Sequence, residues 1–372
     1  MTKHFPSHHP GISMLFKIIP LILLFVAWQP VLSHAILYEG IRPLGMGNAF
    51  TAVANDENAI FYNPAGLSDI TTFKLGLFNP RFGVAKDSID FIDDSGDADF
   101  DETAEVADLL RQYTGKPQHV SLGLFPYMGM NMFDAGVLFG ILSHGAMDVE
   151  IRNPTWPESY VNLNADVGPV MGAGLKIPAV DGLSAGMALK YLYRGSLNEM
   201  YTPAQIAADD FGDIVEDDMS SGSGISIDLG AIYERPDLIP FMDNTKFGIA
   251  GLNMPDMSMG DATRIKHQFN AGMAVEKSLL PWCTIIGAFD IHDITYNAIE
   301  ESQLSRRIHM GVEVQIPFVS LRTGINDGYI SAGGTLDLKA VKLDLATYTI
   351  EQGAYAGQKD DRRYLAQLFV GW

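Results

Sequence analysis

The sequence predicts an all-β fold, a 14-stranded antiparallel transmembrane β-barrel. Three observations predict it. Segments long enough to cross a bilayer as tilted strands, about 9–11 residues, alternate apolar and polar side chains repeatedly. Short and long connections between them alternate. The chain ends on an amphipathic strand closed by an aromatic residue, Trp372.

Composition narrows the function classes. Of 372 residues, 47% are hydrophobic and 19% charged, which excludes a disordered chain. There are 45 acids against 25 bases, a net charge of −20, and no clustering of Lys and Arg, so no nucleic-acid partner is expected. Cys283 is the single cysteine, which leaves no intrachain disulfide framework and no thiolate metal cluster.

Residues 1–35 read as a secretory signal peptide. Lys17 precedes an apolar run from Ile18 to Trp28, broken by Pro20, and Ser33-His34-Ala35 is a small-x-small cleavage pattern. Met14 is an alternative initiator. His4, His8 and His9 would leave with the leader, and no cysteine follows the cleavage site to carry a lipid.

Beyond the leader no run of 18 apolar residues predicts a transmembrane helix. Fourteen segments read as strands instead: residues 72–82, 119–128, 133–152, 160–177, 183–200, 222–234, 245–254, 266–277, 283–297, 305–316, 318–326, 328–338, 340–353 and 362–372. In the tenth, Ile308, Met310, Val312, Val314 and Ile316 share one face, and His309, Gly311, Glu313 and Gln315 the other. In the fifth, Met187, Leu189, Tyr191 and Tyr193 oppose Lys190 and Arg194. Short turns are expected at Gly129-Met130, Pro178–Gly182, Arg235–Asn244, Ser278–Trp282, Pro317 and Lys339-Ala340. The long connections, 83–118, 201–221, 255–265 and 354–361, fall between them. Short inner turns and long outer loops are the habit of outer-membrane barrels. A secreted sandwich or propeller has no reason to alternate loop lengths in this way, and no blade repeat is visible. Only Asn326-Asp327-Gly328 is short on the long side.

Residues 36–71 do not read as a strand. Arg42-Pro43-Leu44-Gly45-Met46-Gly47-Asn48-Ala49-Phe50 is a Gly-rich turn leading to a short helix, and Asn63-Pro64-Ala65-Gly66 follows. Taken alone, the second tract is a turn. Together the two resemble the N-terminal region of the long-chain fatty-acid transporter family (FadL/TodX type) and of its relatives among type IX secretion barrels (PorV type). That resemblance implies a hatch over 36–71 that plugs the lumen of a barrel over 72–372. A 14-stranded barrel is too wide for its own side chains to fill, so a compact plug suits it. Gly45, Gly47, Asn63, Pro64, Ala65 and Gly66 carry the hatch motif. The implied function is passive uptake of hydrophobic, long-chain fatty-acid-like molecules across the outer membrane of a Gram-negative-type bacterium, among outer-membrane lipids. The PorV likeness implies an alternative: a barrel that anchors or shuttles secreted or envelope proteins. A plain water-filled porin fits the hatch poorly.

Catalytic and cofactor chemistry is not expected. Gly182-Leu183-Ser184-Ala185-Gly186 matches the nucleophile-elbow spacing, but it leads from a turn into a strand rather than a helix. Asp97, Asp99 and Asp101 have calcium-loop spacing, but Glu102 replaces the required glycine. The acid-rich stretches 87–108 and 209–218 read as solvated outer loops, the first with a helix that aligns Val106, Leu109, Leu110 and Tyr113. No metal site and no cofactor follows. Charges inside a lipid-embedded barrel face the lumen and usually pair. Lys190 with Asp228 and Arg322 with Asp344 are candidate pairs. If one base stays unpaired among apolar walls to hold a ligand carboxylate, Lys190, Arg194 and Arg322 are the candidates.

Overall fold

The computed structural model describes residues 38–96, 98–298, 304–353 and 357–372. The expected leader lies outside the described residues. The remainder forms a closed barrel of fourteen antiparallel strands, each paired with its sequence neighbours. Strand β1 is Lys74–Phe78 continued as Arg81–Ala85, and β2 is Pro117–Leu124 continued as Tyr127–Met132. Then follow β3 (Ala135–Arg152), β4 (Glu158–Lys176), β5 (Leu183–Tyr201), β6 (Ser220–Pro236) and β7 (Asn244–Met254). The wall continues with β8 (Gln268–Leu280), β9 (Cys283–Ile291), β10 (Ile308–Ile316) and β11 (Val319–Asn326). It ends with β12 (Tyr329–Asp337), β13 (Val341–Glu351) and β14 (Asp360–Gly371). Closure is between β1 and β14, where Ala85 faces Arg363 and Gly76 faces Gly371. Trp372 completes the seam by exchanging both backbone hydrogen bonds with Leu75, at 2.9 and 2.6 Å. Among the described residues no helix is long and apolar enough to cross a membrane.

The period-2 pattern is realised as two faces of one wall. On β10, Met310, Val312 and Ile316 are exposed outward while His309, Gly311 and Glu313 are buried inward. On β5, Met187, Leu189, Tyr191 and Tyr193 point out; Lys190, Leu192 and Arg194 point in. Water would not tolerate such an outer belt, whereas lipid requires it. Strands β3 to β6 run to 17–19 residues, longer than a bilayer crossing needs. Near their outer ends the predicted helix forms over Thr103–Gln112. It buries Val106, Leu109 and Leu110 with Tyr113 and Ile151.

Three local expectations are corrected. Gly129 and Met130 are not a turn but part of β2, paired with Leu138 and Val137. The turn is Phe133-Asp134, with both φ positive as a two-residue hairpin demands. Gly129 instead lies where a Cβ would touch Ile70 of the N-terminal segment. The ninth strand stops at Ile291 rather than 297. Finally, β1 and β2 each break at a proline, Pro80 and Pro126, because proline cannot donate to the ladder. Asn79 bridges the breaks. Its amide nitrogen donates to Phe125 O (2.6 Å) and its oxygen accepts from Phe125 N (2.8 Å). A side chain thus replaces a missing pair of main-chain bonds.

A closed wall leaves no free edge for detergent to attack. Unheated and boiled samples are therefore expected to migrate differently on a denaturing gel. Identical migration would exclude the closed barrel.

Candidate functional site: the filled lumen

Residues Tyr38–Ile70 pack against inward-facing residues of the wall. Short helices at Ile41–Gly45 and Ala59–Tyr62 and a 3-10 turn at Pro64–Asp69 make up the segment. Its apolar side chains, including Met46, Phe50, Ile60, Phe61 and Leu67, form one core with Phe125, Leu138, Leu142, Val170 and Leu192 of the wall. The wall meets the segment's main chain with glycines. Gly136, Gly174, Gly186 and Gly230 stand opposite one another on β3, β4, β5 and β6. A methyl group at Gly186 would overlap Pro64 O, at Gly136 Leu67 O, and at Gly230 the Asn63 side chain. Across the lumen, Gly311 and Gly324 pair between β10 and β11 and meet Met46 and Gly47 in the same way.

The motif residues have distinct placements. Gly47 has φ +65° and lies against the backbone of Met310 and Ile325, so a side chain is barred twice over. Gly45 sits on Gly333, and Gly66 on Ala54 O. Asn63 is extended (φ −160°, ψ 99°), as the residue before proline should be. Its oxygen accepts from Ala65 N at 3.2 Å. Its amide nitrogen donates to Thr51 O at 2.8 Å, and to Ala231 O and Ile249 O of the wall at 3.2 and 3.3 Å. Pro64 and Ala65 are buried beside it. From the wall, Asp290 accepts from Phe50 N and Thr51 N, both at 2.7 Å, and His309 Nδ1 donates to Gly47 O at 3.0 Å.

An ion-pair network ties segment to wall. Arg42 reaches Asp56 at 2.8 Å and Glu313 at 2.7 Å; Arg322 reaches the same Glu313 at 2.6 Å. Asp344 lies farther from Arg322, at 3.7 Å. Thus the predicted Arg322–Asp344 pair is secondary to Arg322–Glu313. The Lys190–Asp228 pair forms as expected, at 2.6 Å, with Asn253 Oδ1 at 3.0 Å. Arg194 grips Asp166 through two bonds of 2.7 Å. All three bases singled out from the sequence are therefore buried and paired.

Sequence reasoning missed Arg42, Asp166 and Arg81. Arg42 carried a signal, being the single base within 36–71. Arg81 had none, lying just beyond a proline that obscures the alternation. It bonds Glu39 O, approaches His144 Nδ1 at 3.2 Å and stacks 4.2 Å from the centroid of the Tyr38 ring. Arg81, Arg194, Arg363, His119, His144, Asp148 and Asp166 line a lumen cavity of about 50 Å³. Arg194 pairs with Asp166, and Arg363 with Asp148 and Asp361. Among the described cavity arginines, Arg81 alone makes no ion pair.

No protein-family profile and no curated protein sequence matches the chain. Solved structures do. The TodX deltaS2S3 mutant monoaromatic hydrocarbon channel aligns with a TM-score of 0.50 at 12% identity, covering 90% of this chain and 98% of that one. The Ralstonia pickettii toluene transporter TbuX aligns at 0.49 and 10% identity, with coverages of 90% and 98%. With fourteen strands closed on each other and an N-terminal segment packed inside, the chain has the barrel fold of the TodX channel, the FadL/TodX type that its N-terminal motif resembles.

Proposed function

We propose that the protein is an outer-membrane barrel for passive uptake of hydrophobic small molecules, with residues 36–71 as its hatch. The observation that carries this reading is the seat: wall glycines set directly under the main chain of the segment, a fit suited to a plug. The fold shared with a monoaromatic hydrocarbon channel supports the substrate class. Export through a cleaved leader and residence in the outer membrane belong to the same reading.

The lumen cavity of about 50 Å³ is far below the roughly 300 Å³ of a ligand pocket. A ligand of that size enters this cavity only when the residues around it shift. We read Lys190, Arg194 and Arg322 as wall ion pairs and give the head-group role to Arg81. Arginine holds a carboxylate through two parallel hydrogen bonds. A long-chain fatty acid titrated into purified protein is expected to bind saturably. Arg81→Ala should weaken it about ten- to hundred-fold, the equivalent of roughly 1.5–3 kcal/mol. Toluene, lacking a carboxylate, should bind both forms alike. Equal fatty-acid affinity in a heat-modifiable variant would remove Arg81 from the site.

The small, polar character of the cavity favours a second reading, an interaction barrel for secreted or envelope proteins. Lack of saturable binding by either ligand, together with a stoichiometric envelope partner in cross-linked membranes, would select it.

A further inference from the structure

Leu252 of β7 pairs with Gln268 of β8, so the ladder between these strands does not need the residues that join them. That connection turns into the lumen as a short hairpin, Met257–Met259 against Ala262–Ile265. Its base is closed by Asp256, whose Oδ1 accepts from His267 N at 2.7 Å. The hairpin has two faces. Met257, Met259, Ala262 and Ile265 are buried in the apolar core that residues 38–70 share with the wall, while Ser258, Asp261 and Arg264 are exposed.

The wall is shaped to receive it. On β6, Ile225, Ile227 and Leu229 are exposed outward, so Gly222 and Gly224 point inward. A Cβ at Gly222 would overlap Met259 O, and one at Gly224 would lie 2.6 Å from both Met257 Cγ and Met259 Sδ. Farther along the same inward row Gly230 seats Asn63 of the hatch. The hairpin therefore lies on the outer side of the hatch, near the start of β6, where the long connection from β5 arrives. Two side chains of β5 hold it. Arg194 keeps Nε and Nη2 on Asp166 and donates from Nη1 to Thr263 O at 3.3 Å; Ser196 Oγ accepts from Thr263 N at 3.1 Å. The hairpin is a two-stranded sheet of its own, separate from that of the barrel. It can lift without breaking a bond of the barrel ladder.

We propose that residues 257–265 are a second closure of the lumen, an outer lid that a hydrophobic ligand must lift before it reaches the hatch. The underside of the lid is what a ligand would replace: apolar side chains, two of them methionines, which repack readily around varied shapes. Arg194 and Ser196 are positioning residues that hold the lid shut. This inference rests on the uptake reading for the ligand, but not for the lid's motion.

Thiol labelling of the full chain in amphipol tests the motion, in a Cys283→Ser background. Ala262→Cys reports from under the lid. Ala188→Cys reports from under the hatch, because Ala188 lies with Ile60 and Leu67 about Gly172. A charged methanethiosulfonate should label both slowly. Gly222→Val should push the lid off its seat and speed labelling at Ala262→Cys about tenfold, with Ala188→Cys unchanged, since labelling follows the open population. The hydrophobic dye N-phenylnaphthylamine should associate about tenfold faster with Gly222→Val than with wild type, because only the open fraction accepts ligand. Joining Asp256 to Lys266 through two glycines should have the same effect on the dye, and serves if Gly222→Val loses its heat-modifiability. Unchanged labelling at Ala262→Cys would overturn the proposal, and so would a rise at both reporters together, which would make lid and hatch one body. Saturable dye binding at equal rates in wild type and variants would overturn it as well. Absence of saturable dye binding in every form, with the labelling contrast intact, would end the uptake reading and support the lid.

Discussion

Deleting residues 36–66 is expected to raise conductance in planar bilayers well above that of the intact chain. A 14-stranded wall encloses more space than its inward side chains can fill. Much of that space is taken by the core of Met46, Phe50, Ile60, Phe61 and Leu67. Removing it leaves glycines facing water where they now face main chain. A milder change should act in the same direction. Gly311→Val places side-chain atoms where Met46 O now lies, so either the segment or the wall must move. Intermediate, flickering conductance is expected from this variant, with the gel shift preserved. A deletion that folds and conducts like wild type would show that the segment is no plug.

The second large effect belongs to Glu313. It is fully buried and shared by Arg42 of the segment and Arg322 of the wall. Glu313→Ala would leave Arg322 with only the more distant Asp344 and Arg42 with Asp56 alone, and breaking a buried pair from one side typically costs about 3–5 kcal/mol. The denaturant midpoint should fall by far more than for Asp344→Ala, because Asp344 stands 3.7 Å from Arg322 and is secondary to it. Arg42→Ala removes the ion pair between the segment and the wall. It leaves Glu313 paired with Arg322, so stability should fall modestly while conductance rises. Equal losses from Glu313→Ala and Asp344→Ala would mean that Arg322 is held elsewhere.

Much of the barrel was legible before any coordinates, and the reason is solvent. Lipid outside and a filled lumen inside impose a strict two-residue period, so the faces of β5 and β10 could be assigned from side chains alone. The Lys190–Asp228 pair was legible too, because Ala188 faces Asp228 on the adjacent strands and parity brings the two charges together. Face parity does not give depth along the lumen, and it says nothing of a segment folded inside. Hence Arg42 and Glu313, 271 residues apart, could not be paired from sequence. The breaks at Pro80 and Pro126 escaped for a related reason. Their repair by Asn79 depends on a neighbour 46 residues away. At Gly129, local turn chemistry pointed the wrong way, because that glycine answers to Ile70 rather than to the hairpin.

The glycine ladder on β3 to β6 has an evolutionary consequence. Where the wall presents glycine it meets carbonyls and amides, and at those points it is indifferent to most side chains of the segment. The enclosed segment can therefore drift in sequence while its path stays fixed. Change is barred where a new Cβ would collide, at Gly47 and Gly66 within and at Gly136, Gly186 and Gly230 without. Among descendants of this chain, correlated substitution should be confined to the side-chain core and the Arg42–Glu313 pair, and little is expected along the glycine rows. Along those rows the common history would be recorded as invariant absences of a side chain, which methods that infer contact from paired exchanges would overlook.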